Sequence, residues 1–212
     1  MKTMFLRLLL VVALGCPAIT TNAAVREWTG GVSGYWSDSN NWNPVGVPQS
    51  GEQLNIKQVA HKVMTNDLDN LSVTLFFQDH DFVLYGNTIT LRPAFGSSID
   101  LAAGAESSVN IYCGLTLGGD AKVFVGFESS DFFSAKMQLH LRGPINLNGH
   151  KLTLEAATVA FTVLGNTFAY TGLIEVAGSI SGTGTVHTKI YDGSTVTFTG
   201  AEENTFSGSL IL

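Results

Sequence analysis

Gly86-Asn-Thr-Ile-Thr-Leu91, Gly149-His-Lys-Leu-Thr-Leu154 and Gly193-Ser-Thr-Val-Thr-Phe198 share one pattern: a glycine, two polar residues, then apolar-Thr-apolar. Each reads as a turn feeding a strand whose successive side chains face opposite ways. The same alternation recurs in Leu54/Ile56, Val73/Leu75/Phe77, Phe82/Leu84, Ile99/Leu101, Val109/Ile111, Leu115/Leu117 and Val123/Val125. It continues in Met137/Leu139/Leu141, Ile145/Leu147, Val159/Phe161/Val163, Ile174/Val176 and Leu210/Leu212. Turn formers such as Gly118-Gly119, Asn148-Gly149 and Asp192-Gly193 separate these runs. Beyond the N-terminal leader no window carries the i, i+3, i+4, i+7 apolar spacing of a helix. The chain reads as all-β.

Short strands at this spacing suit a sandwich, a barrel or a solenoid. The three echoes favour a right-handed parallel β-helix or solenoid, because self-similar units bury their apolar faces by stacking on neighbours. Turns of about 20–25 residues are expected. An antiparallel β-sandwich is the alternative. In a coil, Ile89/Leu91, Leu152/Leu154 and Val196/Phe198 point inward, with Thr90, Thr153 and Thr197 outward. Ser129–Lys136 and Leu164–Gly172 break the rhythm.

Residues 1–23 read as a signal peptide: Lys2 and Arg7 precede the apolar run Leu8–Leu14, and small residues surround Ala23-Ala24. The run is too short to span a bilayer as a helix. Ala13-Leu14-Gly15-Cys16 offers a second route, a lipoprotein anchor through Cys16. Cleavage after Ala23 leaves Cys113 as the sole cysteine, so no intrachain disulfide staples the fold. Cys113 continues the alternation of Val109 and Ile111 and is expected in the core. The leader holds two of the 11 basic residues and no acidic one, so the remaining chain keeps all 17 acidic groups and is more negative than the whole. That balance excludes nucleic acid and anionic lipid surfaces as partners.

Two further stretches carry a family resemblance. Gly182-Thr-Gly-Thr-Val186, followed by Ser194-Thr-Val-Thr-Phe-Thr-Gly200 and Asn204-Thr-Phe-Ser-Gly208, resembles the autotransporter-associated β-strand repeat. Residues 24–50 contain Trp28-Thr-Gly-Gly-Val-Ser-Gly-Tyr-Trp36 and Asn41-Trp42, closing with Gly46-Val-Pro48. This segment resembles the tryptophan-rich opening of bacterial surface proteins that carry such repeats. The resemblance implies an exported structural or adhesive protein of the cell surface, with residues 51–212 as solenoid repeats. It also implies that the native protein continues beyond Leu212 with further repeats and an anchoring domain. Surface glycans or other cell-surface proteins are the implied partners, and self-association through the C-terminal edge is expected.

The tryptophan segment admits two readings. As an N-terminal cap, its rings close the end of the coil and Asp38, Asn40 and Asn41 bond the turns. As a glycan site, Trp28, Trp36 and Trp42 stack on sugar faces while Asn41 bonds hydroxyls. Gln78-Asp79-His80-Asp81 and Asn66-Asp67-Leu68-Asp69-Asn70 are dense in oxygen donors, and Asp79 with Asp81 is the candidate cation pair. Neither run has a recognised metal-loop pattern, and both suit solvated turns. Parallel β-helices also include polysaccharide-processing enzymes, which need carboxylates close together on one face. Here Glu202-Glu203 are adjacent, Glu106, Glu128, Glu155 and Glu175 are scattered, and the histidines share no spacing. The chain is read as non-catalytic and free of cofactors, with a carbohydrate-binding or polysaccharide-processing β-helix as the alternative.

Overall fold

The computed structural model describes residues 23–212 except 58–59, 80, 94–95, 103–106, 127–134, 164–165 and 201–203. The leader, Cys16 included, and His80, Glu106, Glu128 and Glu202-Glu203 therefore lie outside the described residues.

Strand β1 (Val25–Trp28) opens the fold, and β2 (Trp42–Asn43) folds back on it. The chain continues through β3 (Gln53–Ile56), β4 (Val63–Asn66), β5 (Ser72–Phe77), β6 (Phe82–Gly86) and β7 (Ile89–Leu91). Next come β8 (Ile99–Leu101), β9 (Ser107–Ile111), β10 (Leu115–Leu117), β11 (Ala121–Val125), β12 (Ala135–Leu141) and β13 (Ile145–Asn146). The last are β14 (Lys151–Ala156), β15 (Val159–Val163), β16 (Asn166–Val176), β17 (Ile180–Ser181), β18 (Thr183–Ile190), β19 (Thr195–Phe198) and β20 (Ser207–Ile211).

These strands stack in three parallel columns that the chain visits in rotation. Column one runs β1, β3, β5, β8, β11, β14, β18, β20. Column two runs β4, β6, β9, β12, β16, β19. Column three starts at Ser72-Val73 of β5 and runs β7, β10, β13, β17. Antiparallel pairing is confined, among the described residues, to β2 on β1 and to the β15–β16 hairpin. A two-sheet antiparallel sandwich is not what the sheets form. The break at Leu164–Gly172 falls in the β15–β16 hairpin, and most of Ser129–Lys136 lies outside the described residues.

Inward residues stack in register. Leu54, Leu75, Ile99, Val123 and Leu154 form one row, and Ile56, Phe77, Leu101, Val125 and Ala156 its neighbour, all essentially inaccessible. Column two adds Met64, Leu84, Ile111, Leu141 and Val176, and column three adds Ile89, Leu115, Ile145 and Ile180. Each such side chain removed from water stabilises the fold by roughly 1.5–3 kcal/mol, before the cost of ordering the chain. Cys113 joins this core, and burial pushes its thiol up to about 12.

The three sequence echoes land in three different columns. Gly86–Leu91 supplies the turn into column three, Gly149–Leu154 the turn into column one, and Gly193–Phe198 the turn into column two. They are therefore one local grammar reused on every face, and not equivalent positions of successive coils. All three glycines have positive φ, at 106°, 84° and 78°, which explains why each unit opens on glycine. Ile89, Leu91, Leu152 and Leu154 face inward as expected. Phe198 does not: it is 38 % exposed, and Val196 is only half-buried against the core. Among the described residues their strand β19 pairs with β16 alone, so its row is flanked by a strand on one side only. Thr153 lies on the outer face yet is buried, between Lys122 and His187 of the flanking strands.

Candidate functional site

The N-terminal end is organised by one ion pair and three indoles. Arg26 occupies an inward register position opposite Leu54, so its charge must be met inside the end of the stack. Its Nε and Nη2 donate to the two carboxylate oxygens of Glu52 at 2.7 and 2.8 Å. Nη1 donates to the carbonyls of Pro44 at 2.6 Å and Gly46 at 3.1 Å. Glu52 also accepts from the backbone N–H of Gln49. The hydrogen bond from Arg26 holds the Glu52 carboxyl below the usual range, against the opposing effect of burial. The pair thereby ties β1 to the loop that returns across the end.

Trp28, Trp36, Asn41 and Trp42 do come together. Trp42 lies edge-on between Trp28 and Trp36, with centroids 4.9 and 5.7 Å away. Trp28 Nε1 donates to the His61 carbonyl and Trp42 Nε1 to the Trp36 carbonyl. The buried Asn41 carboxamide accepts from the N–H groups of Val32 and Ser33 and donates to Ser33 Oγ and the Tyr35 carbonyl. The indoles are at most 1 % exposed, so no ring face is open for a sugar to stack on. The rings cover the first coil, and the surface needed for the glycan reading of these residues is used up in packing.

Asp79 and Asp81 sit in the turn before β6. Asp81 is exposed with a φ of 63°, and Asp79 is half-buried. Among the described residues no three His, Cys, Asp or Glu side chains converge as a metal site. The 66–70 run is engaged by its neighbours. Asp67 accepts from the N–H and hydroxyl of Ser37, Asp69 accepts from Asn87, and the buried Asn66 donates to the Asn87 carbonyl.

The outer face of column two holds a cluster that sequence reasoning missed. His140 and Glu175 are register partners, and His140 Nδ1 donates to Glu175 Oε2 at 2.5 Å. Thr199 Oγ1 donates to the other oxygen at 2.7 Å, and Arg142 Nη2 lies 3.5 Å from Oε2. Arg142 Nε also donates to Asn110 Oδ1, one coil earlier. The Thr199 hydroxyl first, then His140, with the Arg142 charge as a lesser influence, hold the Glu175 carboxyl below its ordinary range. Beside this cluster Tyr85 and Tyr112 stack with centroids 4.8 Å apart, and the Arg142 guanidinium lies 5.9 Å from the Tyr112 ring. The cluster clamps successive coils together, because Asn110, the His140/Arg142 pair, Glu175 and Thr199 come from four consecutive ones. Its signal in the sequence is the apolar-x-Gly corner. Aligning Leu141-Arg-Gly143 with Val176-Ala-Gly178 puts His140 opposite Glu175.

No helix among the described residues is long and apolar enough to cross a membrane. Comparison with protein-family models, with curated proteins and with solved structures finds no match to this chain.

Proposed function

We propose that this chain is an exported, right-handed parallel β-solenoid of the autotransporter-associated repeat type, serving as a structural or adhesive scaffold at the bacterial surface without catalysis. The carrying observation is how the Gly-x-Gly and Asn-Thr-Phe-x-Gly residues are used. Gly208 lies in register with Gly184, and Asn204 Oδ1 accepts from the N–H of Ile180, 24 residues earlier. A Cβ on Gly208 would stand 1.6 Å from the Gly184 carbonyl oxygen. The motif thus consists of residues that one coil needs in order to sit on the last. Right-handedness follows the strong preference of parallel strand crossovers. The outer faces support a scaffold as well, since ion pairs, hydroxyls and ring stacks there join coil to coil.

Expressing the full chain from Met1 in a bacterium tests the export half. The expected product begins near Ala24 by mass spectrometry and is cleaved by protease added to intact cells. Full-length protein retaining Met1 inside the cell would sink the reading. Self-association is proposed for the exposed strand β20, which pairs with β18 alone among the described residues and exposes Leu210 and Ile211. Sedimentation of residues 24–212 should show association that falls when Leu210 and Leu212 become Lys. A monomer unaffected by the change refutes that contact. The second reading, a carbohydrate-binding β-helix protein, draws support from an aromatic depression on column one.

A further inference from the structure

Column one offers its outward side chains in two rows. Gln53, Thr74, Ser98 and Lys122 form one, and Asn55, Phe76, Asp100 and Phe124 the other. Phe76 and Phe124 are the apolar members of a row that otherwise carries polar groups. Lys122 lies over the Phe124 ring at 5.2 Å, and Gly126 packs beneath it. Phe76 has a different setting, created by a difference in turn length. The chain enters column one without a break inside β5, and through a short turn between β10 and β11. Between β7, which ends at Leu91, and β8, which begins at Ile99, the connection is longer in sequence.

The described residues at the two ends of that connection are held in place. Arg92 Nη1 donates to the Gly51 carbonyl, and Ser98 Oγ donates to the Arg92 carbonyl at 2.7 Å. Gly96 has a φ of 106°, and Gly96 and Ser97 lie beside the column. Here lies a concavity of about 210 Å³ lined by Gln53, Thr74, Leu75, Phe76, Gly96, Ser97 and Asp100. Insertions of this kind on one face of a stacked protein are where binding sites are commonly built.

We infer that this concavity is a subsite for one neutral sugar ring of a glycan. The inference rests on the carbohydrate-binding reading and names its site. The volume lies below the ~300 Å³ at which pockets for drug-sized ligands begin, so it admits a single ring. The half-buried Phe76 ring in the lining suits the C–H face of a pyranose. Around it stand an amide, two hydroxyls and a carboxylate, the donors and acceptors that vicinal hydroxyls require. Asp100 is the one ionisable group of the lining, which disfavours uronic and sialic acids and selects uncharged sugars.

Saturation-transfer NMR on residues 24–212 with glucose, galactose, mannose, N-acetylglucosamine and glucuronate provides the test, followed by titration of the best ligand. A neutral sugar should bind in the millimolar range, as a small shallow contact permits, and glucuronate should not. Phe76→Ala should weaken binding by roughly tenfold. Asp100→Asn, which keeps the shape, should weaken it as well. Tyr112→Ala, on another face, should leave it unchanged. Circular dichroism confirms that each variant remains folded. Sugar binding that survives Phe76→Ala and Asp100→Asn overturns the site while keeping the carbohydrate-binding reading. No saturation transfer from any of these sugars to the folded protein overturns both.

Discussion

At the scale of single residues, two kinds of position carry the architecture. The first is the corner glycine. A Cβ on Gly143 would stand 2.1 Å from the Cys113 carbonyl oxygen, and one on Gly178 would stand 1.9 Å from that of Gly143. Backbone atoms cannot yield as a flexible side chain does, so the coils must part locally. Gly143→Ala should therefore lower stability by ~3 kcal/mol, read as a drop in urea midpoint. An unchanged midpoint would mean that the corners are not in contact. The second kind is the charged pair in the cap. The folded Glu52 carboxyl titrates below its unfolded value, so its contribution is fully present above about pH 4.3 and is lost as pH falls through the lower folded value. Glu52→Gln should cost about 2 kcal/mol at neutral pH and flatten the stability profile in acid. Equal pH profiles for the two proteins would remove the pair from the account. The sequence does not announce this pair. Arg26 and Glu52 are 26 residues apart, and only the parallel register of β1 on β3 brings the basic group over the end of the core.

Strands are the scale at which the sequence is most legible. Alternation identified Ile89/Leu91, Leu152/Leu154 and the rows around them because a half-buried strand imposes period two regardless of its partners. Which strand lies beside which is less visible. Gly86–Leu91, Gly149–Leu154 and Gly193–Phe198 look alike because each opens on a glycine at positive φ and runs into an apolar-Thr-apolar strand, yet they lie in three different columns, so similarity does not report equivalence. Burial by position makes a further distinction. Leu152 lies between β11 and β18, whereas Val196 has a neighbouring strand on one side among the described residues. Leu152→Asp should abolish folding, since an unpaired buried carboxylate costs several kcal/mol, while Val196→Asp should leave a folded protein with a lower melting temperature. Circular dichroism melts of the two variants decide it, and equal damage from both would contradict the assigned burial. The tryptophans illustrate the limit from the other side. Their composition fits a sugar platform and a cap equally, and only the observed packing of Trp42 between Trp28 and Trp36 distinguishes the two.

For the whole molecule, stability is a sum of neighbour contacts along one axis. One end is covered by β2, the indoles and the Arg26–Glu52 pair. At the other end β20 is exposed along its length and β19 is exposed at both terminal positions. Hydrogen exchange should accordingly be fastest in β19 and β20 and slowest in β8 to β14, with β1 and β3 protected by the cap. Uniform protection throughout would show that the stack opens as a single unit. The His140–Glu175–Arg142 clamp lies toward the exposed end, where cross-coil hydrogen bonds supplement a core that is losing depth.

The register of Gly208 on Gly184 has a consequence for size. Each coil advances the molecule by one strand spacing, about 4.8 Å, whatever the composition of its outer face. A segment of 24 residues, the separation from Ile180 to Asn204, is therefore a unit of length. Because the cap touches only the first coils, copying or deleting such a unit changes how far the protein reaches without disturbing what closes it. The chain behaves as a ruler, with the tryptophan end as its zero and the glycine corners as its graduations.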